Sequence, residues 1–244
     1  MDQKQLKTTW QQRIVIGIIA FLLLFSTVAV YALIVLSGEK KEKNNEQVAK
    51  ELEKVEEELT AKREELEVIV SNLSGQYYNK LSNYRSRVRS YNAASVNNAG
   101  LTTTDLEEGN GAEIAEDSSY YSYYIGWCAD ESVFDSSFDN WDNSTALVDP
   151  IAYTNGESQF VQGWEDGVIG MKVGGVREIS IPGELAYGDT KEICGGTNSP
   201  LKFIIMPVDP GETYGKLLDE YNELMNQYYV LYYSQNQDLL NSEE

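Results

Sequence analysis

The chemistry open to this chain is limited first by the residue types that it lacks. The 244-residue sequence contains no histidine and only two cysteines. Without histidine there is no Ser-His or Cys-His nucleophile pair, no imidazole general base and no His-ligated metal site. The aromatic side chains between residues 101 and 208 are the next candidates, and they either fill a core or line a site.

The charge of the chain is concentrated in its C-terminal part. The whole sequence carries 19 basic and 39 acidic residues, a net charge of −20. Residues 101–244 hold five of those basic and 27 of those acidic residues, whereas residues 1–43 have a small positive excess. Nucleic-acid binding depends on clustered Lys and Arg that release counterions, so no nucleic-acid partner is expected.

Residues 101–208 have the pattern of one strand-rich domain with a short helix. Turn signals such as Asn155-Gly156 separate β-prone runs, among them Tyr120–Trp127 and Leu201–Val208. Apolar residues at steps of three and four predict a short helix over Phe160–Met171. The fold class expected from this order is α+β, with the helix laid across an antiparallel sheet.

Four segments of this domain, in order, resemble the signature of the FKBP-type peptidyl-prolyl cis-trans isomerases. They are Tyr124–Trp127 with Val133–Ser137, Phe160–Gly167, Ile181–Gly188 and Asn198–Phe203. The resemblance implies an antiparallel sheet wrapped on a short helix, with a proline-binding pocket between them. It also implies an isomerase that acts on X-Pro bonds of proline-containing polypeptide clients.

The resemblance assigns a role to individual side chains. Trp164 would form the floor under the prolyl ring, Asp135 would be a buried acidic group, and Tyr187 would donate its hydroxyl to a substrate carbonyl. The other pocket residues that it implies form the walls and the rim: Tyr124, Phe134, Phe203, Phe160, Val161, Ile151 and Ile193.

A pocket of this kind needs no metal ion and no cofactor. Rotation about a peptide bond faces a barrier of ~18–20 kcal/mol because the planar amide is stabilised by resonance. A twisted amide has lost that resonance and its carbonyl is less polar, so an apolar cleft favours it over the planar ground state. The missing histidine therefore agrees with an enzyme that works by shape and desolvation.

Several positions depart from the family pattern. Ile151 stands where the family usually has Phe, Phe160 replaces a smaller β-branched residue, and the flap around Ile193 lacks the usual sequence. The alternative reading is therefore a non-catalytic FKBP-like module for peptide binding, chaperoning or adhesion. The family's geometry also places Cys128 and Cys194 near one end of the sheet, which suggests a disulfide; two unpaired thiols are the alternative.

The N-terminal part predicts a membrane anchor. Residues 14–36 are an uncharged apolar run of 23 residues, and a helix of that length, about 35 Å, can cross a bilayer core of ~30 Å. We expect a single-pass protein of the cell membrane, with residues 1–13 cytoplasmic and the C-terminal domain extracytoplasmic. The alternative is a cleavable signal peptide, although the apolar run continues beyond its candidate cleavage site.

Two helices are expected outside the isomerase-like domain. Heptad spacing from Val48 to Leu73 predicts a helical stalk over residues 44–93, either a coiled coil that pairs two copies of the chain or a single solvated helix. Residues 92–100 are small and polar and read as a linker. A Tyr-rich amphipathic helix over 213–240 would pack on residues 76–93 or pair across a dimer.

Overall fold

The computed structural model describes residues 41–156 and 160–240. The predicted N-terminal segment 1–13 and the predicted membrane span 14–36 lie outside the described residues. Among the described residues, no helix combines the length and the hydropathy that crossing a bilayer requires. The described chain divides into two compact units, one formed by residues 41–69 with 211–240 and the other by residues 70–210.

The first unit is a pair of antiparallel helices. Helix α1 spans Lys41–Ser82 and contributes its residues up to 69, and helix α4 spans Glu212–Leu240. An ion pair between Lys62 and Glu220, with 2.7 Å between Nζ and Oε2, shows that the two helices lie side by side. The predicted heptad residues Val55, Leu59 and Leu66 are buried. Helix α4 of the same chain lies beside this stretch, so a second copy is not needed to cover it.

The predicted stalk is wrong at its C-terminal end. Helix α1 ends at Ser82 and not near residue 93, and a single 3-10 turn at Arg85–Arg87 follows it. The helix ends there because the next apolar side chains pack on the sheet of the second unit. The predicted linker contains the short helix α2, Ala93–Ala99, whose first turn is capped by the Asn92 side chain accepting a hydrogen bond from the Ser95 N–H at 2.9 Å.

The second unit is built on one antiparallel sheet. Its strands are β1 (Thr102–Glu107), β2 (Ser119–Trp127), β3 (Val133–Ser136), β4 (Ile151–Thr154), β5 (Val176–Ile181) and β6 (Leu201–Val208). The strand order is β1-β5-β6-β2-β3, and β4 pairs with β2. The predicted α+β class and the antiparallel sheet are confirmed.

Each face of the sheet carries its own apolar core. Strand β2 alternates, so that Tyr120 and Tyr124 face one side while Tyr123, Ile125 and Trp127 face the other. Helix α3, Gln162–Val168, covers the first side, called the front face below. The last turns of α1 and the chain that follows them cover the back face, where Leu81 is fully buried. The compact unit therefore begins at Val70 and not at residue 101.

Helix α3 is shorter than the predicted span of 160–171. The helical path ends at Ile169, whose ψ of 134° is extended, and Gly170 follows with a left-handed φ of +77°. Within α3, Gly163 lies so close to β5 that a Cβ there would approach the Ile181 side chain to 2.3 Å. This close approach presses the following residue, Trp164, into the front-face core.

Candidate active site

Most of the predicted pocket residues meet in one cluster on the front face. Trp164 and Phe203 belong to the buried part of this cluster. The residues packed around them are half-buried: Tyr124, Phe134, Phe160, Val161, Tyr187 and Ile193. Strands β2, β3 and β6, helix α3 and the segment after β5 thus converge on one aromatic cluster, which is called the cleft below.

Trp164, the predicted floor residue, is a buried member of this cluster. Its side chain is only 1% exposed, and the rings of Tyr124 and Phe203 stand nearly perpendicular to it, with centroids 5.5 and 5.1 Å away. Phe134 continues the aromatic wall, with its ring 5.5 Å from that of Phe203. These edge-to-face arrangements are the favourable ones for aromatic pairs and hold the rings in fixed orientations.

Gly126 lets the two walls of the cleft meet. In the sheet it pairs with Asp135 on β3 and with Phe203 on β6. A Cβ at this position would lie 2.7 Å from the ring atoms of both Phe134 and Phe203. The glycine is required because the two phenyl rings occupy the space of a side chain.

The polar part of the cleft is centred on Asp135. The Tyr124 hydroxyl donates a 2.7 Å hydrogen bond to Asp135 Oδ2, and the Ser136 N–H donates to Oδ1 at 2.9 Å. Burial, reinforced by the nearby carboxylate, raises the pKa of Tyr124 well above its usual value, so its hydroxyl stays protonated. The expectation that Asp135 is buried is wrong: it lies on β3, the edge strand of the sheet, and is exposed.

Tyr187 packs against the same cluster and follows shortly after the 3-10 turn Gly183–Leu185. Burial, with a smaller effect of the Asp135 charge, raises its pKa, so its hydroxyl can act as a donor at neutral pH. The ammonium group of Lys191 stands 4.5 Å from the centre of its ring, a cation–π contact that sequence analysis did not foresee.

Cys128 and Cys194 are joined by a disulfide, with 5.4 Å between their Cα atoms. The bond connects the residue after β2 to the flap. Ile193, its neighbour, packs against the front-face cluster and exchanges backbone hydrogen bonds with Gly196. The disulfide therefore ties one rim of the cleft to the sheet.

The structure separates one predicted rim residue from the cluster and adds residues that the sequence pattern did not single out. Ile151 pairs with Ser122 and is half-buried, but it is not a member of the front-face cluster. Tyr153, two residues later, is a member, with its ring 4.8 Å from that of Phe160. Tyr120 accepts a hydrogen bond from the Trp164 indole. The alternation of tyrosines along β2 was the available signal, but it does not tell which hydroxyl meets a partner.

Comparison with known proteins agrees with this geometry. Residues 111–206 match the model of the family described as FKBP-type peptidyl-prolyl cis-trans isomerase. An FK506-binding protein of Neisseria meningitidis serogroup B (strain ATCC BAA-335 / MC58) is 36% identical over 110 residues, which are 45% of this chain and 93% of that protein. The chloroplastic peptidyl-prolyl cis-trans isomerase FKBP13 of Arabidopsis thaliana is 32% identical over 108 residues, which are 42% of this chain and 49% of that one.

Among solved structures, the crystal structure of AtFKBP13 matches with a TM-score of 0.39 and 29% sequence identity, over 47% of this chain and 96% of that one. The Neisseria relative is matched over nearly its whole length, and the family model covers the residues that form the aromatic cleft. The chain belongs to the FKBP-type peptidyl-prolyl cis-trans isomerases.

Proposed function

We propose that this isomerase acts on X-Pro bonds of proteins outside the cytoplasm, and that desolvation in the aromatic cleft is the source of its rate enhancement. The observation that carries the proposal is the near-complete withdrawal of the Trp164 floor from water. Apolar rings border it, so a prolyl ring placed in the cleft loses its contact with solvent.

Desolvation acts differently on the two states of the substrate. The planar amide carries a polar, resonance-stabilised carbonyl, which is costly to place in an apolar cleft. The twisted amide of the transition state has lost this resonance, so its transfer into the cleft costs less. The difference lowers the barrier without a nucleophile or a proton transfer.

The polar residues at the mouth orient the substrate. The Tyr187 hydroxyl is protonated at neutral pH, and it donates a hydrogen bond to the carbonyl oxygen of the residue before proline. The carboxylate of Asp135 accepts a hydrogen bond from the Tyr124 hydroxyl, which fixes a negative charge at the mouth of the cleft. Neither role requires a proton transfer.

The proposed location rests on two features. The apolar run of residues 14–36 has the length of a membrane span, and the two cysteines of the chain form a disulfide. Disulfides persist in oxidising surroundings outside the cytoplasm. Both features support an anchored enzyme whose isomerase unit lies on the extracytoplasmic side.

Pairing of two copies through α1 is not part of the proposal, because α4 already lies beside the heptad residues.

A proline-limited refolding assay tests the activity. The full chain is expected to accelerate a refolding phase that takes tens to hundreds of seconds without catalyst. Trp164→Ala and Asp135→Ala should each abolish most of the acceleration, while Asp142→Ala, an exposed acidic residue of the loop after β3, should keep it. If the wild-type chain binds a proline-containing peptide but does not accelerate refolding, the protein is a binding module and the proposed activity is wrong.

The location is tested separately. Protease added to intact cells that express the chain should remove the isomerase unit and leave a short membrane-bound N-terminal fragment. Full protection of the unit in intact cells, with cleavage only after lysis, would contradict the proposed orientation.

A further inference from the structure

The indole N–H of Trp164 makes a buried hydrogen bond to another side chain. Its Nε1 donates a 2.9 Å hydrogen bond to the hydroxyl oxygen of Tyr120 on β2. Trp164 is 1% exposed and Tyr120 is 5% exposed, so water cannot take the place of either group. The bond therefore links the floor of the cleft to a strand of the sheet from beneath.

Three ring contacts close a circuit around this hydrogen bond. The ring of Tyr120 lies 5.3 Å from that of Tyr153, which lies 4.8 Å from that of Phe160. Phe160 in turn is stacked on Trp164, with centroids 4.9 Å apart and planes 27° apart. The four side chains therefore form a closed ring of contacts, in which three contacts are between aromatic rings and one is a hydrogen bond.

The hydrogen bond controls a degree of freedom that ring packing controls poorly. The χ2 torsion of Trp joins a tetrahedral to a planar carbon, and such torsions are broad and roughly two-fold. A flip about χ2 exchanges the two edges of the indole while keeping a similar ring plane. Only an acceptor on one side distinguishes the N–H edge from the opposite edge.

We propose that Tyr120 is a positioning residue of the isomerase: its hydroxyl fixes the Trp164 indole in the one orientation that receives the prolyl ring. This inference rests on the proposed function. Tyr120 lies beneath Trp164 and acts on the substrate only through it, by accepting the hydrogen bond of its indole N–H. The motif around Trp164 alone would not reveal this role.

The test is Tyr120→Phe in the full chain, with Tyr123→Phe as the matched control. Tyr123 lies on the same strand and is fully buried on the back face, where its hydroxyl has no hydrogen-bond partner among the described residues. Both substitutions remove one buried hydroxyl and keep the ring. Loss of one hydrogen bond predicts a decrease of about three- to tenfold in kcat/KM for Tyr120→Phe, mainly in kcat, and no decrease for Tyr123→Phe.

An NMR readout separates orientation from activity. In ¹H–¹⁵N spectra the Trp164 indole signal, assigned with Trp164→Phe, should move upfield and exchange faster with solvent in Tyr120→Phe only. An unchanged signal, or a changed signal with wild-type kcat/KM, overturns the inference. If the wild-type chain shows no isomerase activity, the proposed function fails, while the indole signal still decides whether Tyr120 orients Trp164.

A double-mutant cycle distinguishes an effect of Tyr120 that passes through Trp164 from a general loss of folding. If Tyr120 acts through Trp164, Tyr120→Phe should have no further effect on kcat/KM in a Trp164→Phe background. Full additivity of the two losses would show that Tyr120 acts elsewhere and would overturn the inference.

Discussion

The hydroxyl oxygen of Ser74 accepts a 2.8 Å hydrogen bond from the backbone N–H of Leu147, and both residues are buried. Ser74 belongs to α1, and Leu147 belongs to the long loop between β3 and β4. Nearby, the Tyr78 hydroxyl donates to the Ser144 carbonyl at 2.7 Å. The end of the predicted stalk is therefore an internal part of the isomerase unit.

The first prediction follows from this back-face packing. Leu81→Ala removes a fully buried side chain and should lower the free energy of unfolding by about 2–5 kcal/mol. Val68→Ala, at a position 63% exposed on the same helix, should change it by no more than about 0.5 kcal/mol. Urea unfolding of the full chain measures both, and equal midpoints for the two variants would show that the helix end is dispensable.

The family resemblance brought together the residues of the front-face cluster, whereas the sequence pattern did not identify what surrounds them, and the difference has a physical reason. Gly126, Trp164 and Phe203 are specified by steric demands of the cleft itself, and such demands leave distinct residue types at fixed spacings. The apolar spacing through Tyr77 and Leu81 is equally regular but indicates only that one side of a helix is covered. It cannot say whether a second copy, another helix or a sheet supplies the cover.

Helix boundaries and hydroxyl partners were also beyond the sequence pattern. Tyr84 continues the helical spacing of Leu81, yet the chain leaves the helix there because packing against the sheet outweighs local preference. In the same way, the tyrosines of β2 alternate between faces, but only the fold brings Tyr120 to the Trp164 indole.

A second prediction concerns the contact at Gly126. Gly126→Ala would force a methyl group against the rings of Phe134 and Phe203, so it should reduce both isomerase activity and stability, the latter by about 1–3 kcal/mol. Gly75→Ala is the matched control, because a Cβ at this helical position meets no atom within 4 Å. It should raise the free energy of unfolding by roughly 0.5–1 kcal/mol. Wild-type activity in Gly126→Ala would mean that the two rings can separate without loss.

A third prediction concerns the disulfide. Cys128 and Cys194 are 66 residues apart in sequence, and closing a loop of that length in the unfolded chain contributes up to about 4 kcal/mol. Dithiothreitol should therefore lower the urea midpoint of the wild-type chain. The double variant Cys128→Ser/Cys194→Ser should unfold at this lower midpoint with or without the reductant. A wild-type midpoint that does not respond to complete reduction would contradict the expected contribution.

The back of the sheet carries a charged group whose titration affects stability. Glu178 on β5 accepts hydrogen bonds from Lys202 at 2.9 Å and from Arg87 at 2.6 Å. Burial alone would raise the pKa of Glu178, but the hydrogen bonds and positive charges of Lys202 and Arg87 outweigh it and lower that pKa. Arg87 comes from the segment after α1, so the ion pairs also hold this segment on the sheet.

The fourth prediction is the pH dependence that follows from Glu178. A carboxyl group whose pKa is lower in the folded than in the unfolded chain stabilises the fold above its unfolded pKa, and this stabilisation is lost as the pH falls through the folded pKa. The free energy of unfolding should thus decrease more steeply below about pH 5 in the wild-type chain than in Glu178→Gln. Glu116→Gln, an exposed carboxylate before β2, should follow the wild-type curve. Urea unfolding at a series of pH values around and below 5 measures how the free energy of unfolding changes with pH. Parallel curves for Glu178→Gln and the wild-type chain would show that Glu178 does not cause the loss of stability in acid.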